Sequence, residues 1–330
     1  MALQTSGEIS LYDIRDEFGQ SNPVPIQDYY RGGGIVPDIP ENSSVPTSGS
    51  ISVQDFYGAT DLLQRTKDFI SRVESDGGVV TDAGFIDSFY RDMSSHASFL
   101  DSHGMVFFPE ARKVSSGRAT KMYCLYNSLY DVESGSDGYS APLINSGTRE
   151  SLTFDRGSDG LQFRTGTALD FLRNRSWVSN FAVHNRSGDQ SGDNGWIIWW
   201  GRASGADSQH MRYVNFHMHQ GNEEFGVRIP DTNYENIRVS DISGTRTLYH
   251  VSDFQNGHME IFRNGSSIGS QAQNSGTSDD TRSHNASIGN RNAGEGTNFN
   301  NGNLYAISCF KSQPSSSLVT DFHNFYSSNY

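Results

Sequence analysis

The residues best suited to chemistry lie between positions 190 and 220. Trp196, Trp199, Trp200 and Tyr213 are interleaved there with Asn215, His217 and His219. Flat aromatic faces stack against the C–H surfaces of sugars, and planar polar groups satisfy their hydroxyls. Trp196, Trp199, Tyr213, Asn215 and His217 are therefore the candidate carbohydrate-contacting set. Adjacent positions on a strand take opposite faces, so one of Trp199 and Trp200 belongs to a core. The competing reading is that the whole cluster is core and interface. His217 and His219, two apart, share a strand face and suit a metal, with His210 nearby. No cysteine or spaced aspartate completes that set, so they read as ordinary groove histidines.

Catalysis finds less support. Cleaving a glycosidic bond takes two carboxyl groups flanking it. Glu223 and Glu224 are neighbours and diverge on a strand, and Glu260 stands alone. Ser191-Gly-Asp-Asn-Gly-Trp196 partly matches an Asp-box but lacks the spacer before Trp and occurs once, so it reads as a turn entering a strand. No enzyme is expected.

The elements that must position these residues are strands. From 136 to 330, strand-sized alternating segments recur between turn signals. They include Ser151–Asp155, Leu161–Arg164, Val178–Val183, Trp196–Trp200, Tyr213–Met218 and Phe225–Ile229. Asn264-Gly265 between two alternating runs predicts a type I′ hairpin. Leu304–Phe310 is a final strand, and Leu318, Phe322 and Phe325 follow at helical spacing.

Residues 61–135 read as a small α/β domain. Phe69, Ile70 and Val73 share a helix face, and Phe85, Ile86, Phe89, Tyr90 and Met93 define an amphipathic helix. Val79-Val80 opens a new element, and Met105–Pro109 and Thr120–Tyr126 are extended. Glu74 and Asp76, in Arg72-Val-Glu-Ser-Asp-Gly-Gly78, read as a helix end and glycine turn rather than as catalytic acids.

Residues 1–60 carry an internal repeat. Ile9-Ser-Leu-Tyr-Asp-Ile-Arg-Asp-Glu-Phe-Gly19 is echoed by Ile51-Ser-Val-Gln-Asp-Phe-Tyr-Gly58, with a looser copy in Val24-Pro-Ile-Gln-Asp-Tyr-Tyr-Arg-Gly-Gly33. Ser10-x-x-Asp13 and Ser52-x-x-Asp55 fit a capping pattern ahead of a short helix. Gly32–Gly34 and the stretch from Pro37 to Pro46 read as an extended linker. So short a segment is expected to bury little of its own surface and to pack on a neighbour, a loop lying over its own next domain being the alternative. Leu11, Ile14, Phe18, Tyr29, Tyr30, Arg31, Phe56 and Tyr57 are its candidate anchoring residues.

Bulk properties narrow the partners. The chain has 330 residues and a net charge of −13, with no basic patch, which excludes nucleic acid. No apolar run approaches the roughly 18–20 residues of a membrane span, and the N-terminal residues lack the pattern of a secretory signal. Cys124 and Cys309 lie in apolar contexts and read as buried, reduced thiols, with a disulfide between them the alternative.

The repeat wording resembles the N-terminal signature of virion proteins from tailed bacteriophages, marine and cyanobacterial ones among them, over about residues 7–60. The Arg72–Gly78 block resembles one that precedes lectin-like domains in such proteins. Leu248–Gly265, Gly302–Lys311 and Ser315–Tyr326 resemble the hairpin, last core strand and terminal helix of concanavalin A-like (laminin-G-like) domains. The resemblance implies a mainly β fold: an N-terminal attachment segment (1–60), the small α/β domain (61–135) and a jelly-roll sandwich (136–330). It implies a structural protein assembled into the virion in the host bacterial cytoplasm, partnered by portal, tail or capsid proteins. The expected role is a tail fibre or spike whose lectin-like domain contacts host surface glycan. A decoration or cement protein acting by packing alone is the alternative, and a glycan-degrading enzyme the third. Fibres imply a homo-oligomer. Laminin-G-like domains imply calcium, for which the loops at Asp279-Asp280 and Asn298–Asn303 are the candidates, without a definite ligand set.

Overall fold

The computed structural model describes residues 3–20, 24–36, 42–134, 140–154, 159–163, 178–186, 195–201, 213–219, 222–228, 235–240, 247–254, 258–272, 285–289, 302–310 and 312–330. The chain forms two compact units, Met1–Arg72 with Asp82–Asp92, and Val73–Thr81 with Met93–Tyr330.

The first unit is built from the repeats. In the first copy, helix α1 (Leu11–Glu17) opens on a capping box: Ser10 Oγ accepts from the Asp13 amide, and the Asp13 carboxylate accepts from the Ser10 amide at 2.8 Å. In the second copy, Ser52 and Asp55 form the same box ahead of a 3₁₀ turn over Val53–Phe56. The third copy turns over Ile26–Tyr29 without a side-chain cap, Pro25 standing where the serine was. Gly19 and Gly58 close the two capped copies at φ of 65° and 71°, backbone that favours glycine.

These turns meet in a core of their own. Ile14 and Phe18 of one copy and Phe56 of another pack with Leu3, Val36, Val45 and Ala59. The Tyr29 ring meets Phe56 edge-on at 6.2 Å. The expectation that this segment buries little of itself is therefore corrected. Three repeats, each too short for a core, supply one jointly. The flanks of the expected linker also fold back: Val36 and Val45 are buried, and the Arg31 amide donates to the Pro46 carbonyl at 3.1 Å. Residues 37–41 lie outside the described residues. Helix α2 (Gln64–Ser75) begins in this unit, and α3 (Ala83–Asp92) belongs to it. The buried Asp87 carboxylate joins them, accepting from the Leu63 amide at 2.7 Å, the Thr66 hydroxyl at 2.6 Å and Arg91 at 2.5 Å.

The second unit is an antiparallel β-sandwich of the jelly-roll class. Its eighteen strands among the described residues are β1 (Val79–Val80), β2 (Gly104–Phe107), β3 (Ala111–Ser115), β4 (Arg118–Met122), β5 (Val132–Glu133), β6 (Leu143–Asn145), β7 (Ser151–Thr153), β8 (Leu161–Phe163), β9 (Val178–Arg186), β10 (Gly195–Gly201), β11 (Tyr213–His219), β12 (Asn222–Arg228), β13 (Glu235–Ser240), β14 (Thr247–Phe254), β15 (His258–Arg263), β16 (Ser266–Ala272), β17 (Asn285–Ile288) and β18 (Gly302–Phe310). One leaf runs β16–β15–β14–β9–β18, with β2 and β7 on the far edge of β18. The other runs β13–β12–β11–β10–β17–β8–β5–β4–β3–β1. Strand β6 pairs with both β7 and β4 and so joins the leaves.

One core lies between the leaves. The first contributes Met105, Leu152, Ala182, Ile261 and Ile307; the second contributes Met122, Val132, Leu161, Ile237 and Ile288. Strands β2 to β5, expected in a separate domain over 61–135, carry part of this core. Cys124 and Cys309 lie in it as free thiols, and burial pushes both up in pKa. Helix α4 (Ala97–His103) and the terminal helix α5 (Ser316–Asn329) cover the other side of β18. Ser315 caps α5, Phe322 meets Phe310 edge-on at 5.2 Å, and Tyr326 hydrogen-bonds Ser308 at 2.5 Å.

Candidate functional site

Strand register defines two faces of the leaf that carries β10 to β13. Ile198, Phe216, Phe225 and Ile237 are paired in one row across the four strands, and Ile198 is also paired with Ile288. Ile237 and Ile288 are buried in the inter-leaf core, so this row marks the core face. Directly paired residues share a face and neighbours alternate. The adjacent rows therefore belong to the outer face. One is Trp199–Asn215–Gly226–Asn236, and the next is Trp196–His217–Glu224–Arg238. Tyr213 and Arg228 are paired one step further on.

Trp196 and Trp199 are three apart and would alternate onto opposite faces of a regular strand. A β-bulge between Trp196 and Ile198 inserts one residue against β11. That extra residue restores the parity of Trp196, so both tryptophans stand at outer-face positions. The five residues picked from the sequence, Trp196, Trp199, Tyr213, Asn215 and His217, thus occupy one face. Trp200 takes the core parity with Val214. The side chains of these strand positions lie outside the described part of the structure, and the assignment rests on backbone register. The outer face has an open end, where Arg238 and Ser240 are exposed, and a closed one, where the Trp199 row continues into the buried Ser287 and Gln162.

Sequence reasoning missed the far half of this face: Glu224, Gly226, Arg228, Asn236 and Arg238. No local pattern announces it, because the face is composed by pairing between four strands. Glu223 and Glu224 do take opposite faces, Glu223 sharing the core parity of Met218 and Val239. Among the described positions on the outer face of β10 to β13, Glu224 is the one carboxylate.

The other sequence candidates resolve as follows. Glu74 and Asp76 end α2 in a Schellman turn: Gly77 has φ 75°, its amide donates to Glu74, and the Gly78 amide donates to Val73. Hydrogen bonds from Tyr123 and then Lys121 hold the Asp76 carboxyl below its usual pKa. Glu260 accepts from the Ser267 hydroxyl. His210, Asp279, Asp280, residues 191–194 and residues 298–301 lie outside the described residues. Among the described residues, no group of three His, Cys, Asp or Glu side chains is placed to hold a metal ion. None of the described helices is long and apolar enough to cross a membrane.

In the first unit, three of the eight anchoring candidates, Ile14, Phe18 and Phe56, are consumed by the unit's own core. Tyr30 and Tyr57 donate from their hydroxyls to the Gly49 and Gly7 carbonyls, tying the repeats together. Tyr29 is half-buried, and Arg31 uses its amide to hold Pro46. Leu11 remains 67% exposed, beside Tyr12 at 63% and Ile26 at 53%. These three, with Val24 and Tyr29, line an apolar groove of about 310 Å³, and the Arg15 guanidinium lies 3.7 Å from the Tyr12 ring centre.

No protein-family model matches the chain, and no curated protein matches its sequence. Solved structures give distant likenesses. The binding domain of Paraclostridial Mosquitocidal Protein 1 is 13% identical at a TM-score of 0.48, over 69% of this chain and 53% of that one. A botulinum neurotoxin serotype D ligand-binding domain solved with N-acetylneuraminic acid is 13% identical at 0.43, over 70% and 52%. The Ruminococcus gnavus IT-sialidase CBM40 is 14% identical at 0.41, over 52% of this chain and 96% of that module. The chain spans about half the length of the toxin domains it matches. Likeness at this level says nothing of function, and the site rests on its own geometry.

Proposed function

We propose that this chain is a non-catalytic, virion-borne adhesin of a tailed phage. Its sandwich contacts host surface glycan through the outer face of β10 to β13, and its repeat unit docks onto a neighbouring virion protein. The observation that carries the glycan reading is the bulge in β10, which gathers Trp196 and Trp199 on one face with Tyr213, Asn215 and His217. Stacking platforms flanked by planar amides are what a sugar ring needs. The single carboxylate of that face supports binding without hydrolysis. The virion reading is supported by the repeat wording of residues 7–60.

The test is an array of bacterial capsule and lipopolysaccharide oligosaccharides probed with the full chain and with Trp199→Ala. Binding by the native chain that the folded variant loses supports the reading. Failure of the folded native chain to bind any printed glycan overturns it.

The exposed apolar groove of Leu11, Tyr12 and Ile26 favours a second reading, a decoration or cement protein acting by packing alone. Copy number in purified particles separates the two. Tens of copies on the tail fit the adhesin, and hundreds on the head fit the cement protein.

A further inference from the structure

The outer-face positions of β11, β12 and β13 include two arginines and one glutamate. The described ones are Tyr213, Asn215, His217 and His219; Asn222, Glu224, Gly226 and Arg228; and Asn236, Arg238 and Ser240. The chain as a whole has a net charge of −13. The two arginines are placed differently. Arg238 is in register with Glu224, an opposite-charge cross-strand pair. Arg228 is in register with Tyr213, so its cross-strand neighbour on β11 is an aromatic rather than a carboxylate.

Gly226 lies between them. It is flanked in register by Asn215 on one side and Asn236 on the other, and Trp199 is next beyond Asn215. A glycine inside a strand leaves bare backbone, and such positions mark close approach of a ligand or another backbone. With strands about 4.8 Å apart, the row from Trp199 to Asn236 covers about 14 Å. Arg228 is two residues from Gly226 along β12, about 7 Å. The register thus sets one aromatic position, two amide positions and a glycine side by side across four strands, with an arginine position two residues along β12. Guanidinium forks pair with carboxylates bidentately and discriminate them from neutral groups.

We propose that the glycan taken by this face bears a carboxylate, and that Arg228 reads it, with Arg238 in support. The proposal rests on the glycan-binding reading above and adds the chemical class of the sugar. It gives the face a selectivity that its aromatic positions alone would not have, because stacking does not distinguish an acidic sugar from its neutral counterpart.

The test uses the full chain and a printed panel of acidic bacterial capsule oligosaccharides, each beside its carboxyl-reduced counterpart and a sulfated neutral counterpart. The expected result is at least about tenfold tighter binding of the carboxylated member of a pair. Arg228→Gln is expected to bring that ratio close to one by weakening binding of the carboxylated member, and Arg238→Gln to lower the ratio less. Thermal melts confirm that both variants fold. Equal binding of the acidic and reduced members overturns the proposal and leaves the glycan reading standing. So does an acid preference that survives in Arg228→Gln, or a preference for the sulfated over the carboxylated member. Failure to bind any member of the panel overturns both readings together.

Discussion

The Tyr123 hydroxyl donates to the Asp76 carboxylate at 2.7 Å, and the same ring closes over Gly78 two residues further along the chain. A Cβ on Gly78 would lie 2.5 Å from Tyr123 Cε2. Tyr123 is buried, so the ring has little room to retreat. Gly78→Ala is therefore expected to destabilise the second unit by about 1–3 kcal/mol, the usual range for overpacking. Chemical denaturation of the variant checks this. Tyr123→Phe should cost less, since it removes the hydrogen bond to a half-exposed carboxylate and keeps the packing.

The first unit has its own polar lock. The buried Asn42 amide donates to the Thr60 carbonyl, and its oxygen accepts from the Thr60 amide, both at 2.9 Å. Asn42→Ala would leave a buried backbone donor and acceptor without their partner, a loss of about 1–3 kcal/mol. Hydrogen exchange at the Thr60 amide should speed up in the variant. An unchanged rate would mean that another group holds that amide.

Much of the sandwich was legible because its signals are local. Asn264 and Gly265 both have positive φ, 48° and 82°, and they join β15 to β16 as the dipeptide predicts. Leu318, Phe322 and Phe325 line the buried side of α5, as their spacing predicts. What was not legible depends on pairing between distant segments. The bulge beside Trp196 shows only once β10 is laid against β11. The repeat unit's core needs Phe18 and Phe56, about forty positions apart, to meet. The boundary between units was equally hidden, because α2 runs from one into the other and reads as a single amphipathic helix.

The hairpin also offers a direct test of its geometry. Gly265 has φ 82°, and the nearest atom to an added Cβ is His323 Nδ1 at 3.7 Å. Space is therefore available, and the cost of Gly265→Ala is conformational, about 1–2 kcal/mol. A melting temperature lowered by Gly265→Ala but not by the neighbouring exposed change Ser266→Ala would support this.

Glu110 gives the molecule a pH dependence of definite sign. Glu110 is 2% exposed. The nearby Arg112 is committed to Glu150, donating from Nη2 at 2.8 Å, and Thr81 donates to the same carboxylate at 2.6 Å. Burial pushes the Glu110 carboxyl up to about 7 from an ordinary 4.5, with hydrogen bonds from the backbone amides of Glu110 and Glu150 and the Arg149 charge opposing and the Glu150 charge reinforcing. The folded state then holds this proton where the unfolded chain releases it. Stability from this group is complete below about pH 4.5, falls as the pH rises toward 7 and is flat above that. The whole effect amounts to roughly 3 kcal/mol at most. Glu110→Gln carries no charge to bury. It should leave stability at pH 4 nearly unchanged and raise it at pH 8. Unfolding free energies of both proteins across that range decide the matter, and parallel curves would show that Glu110 finds a proton or a partner by another route.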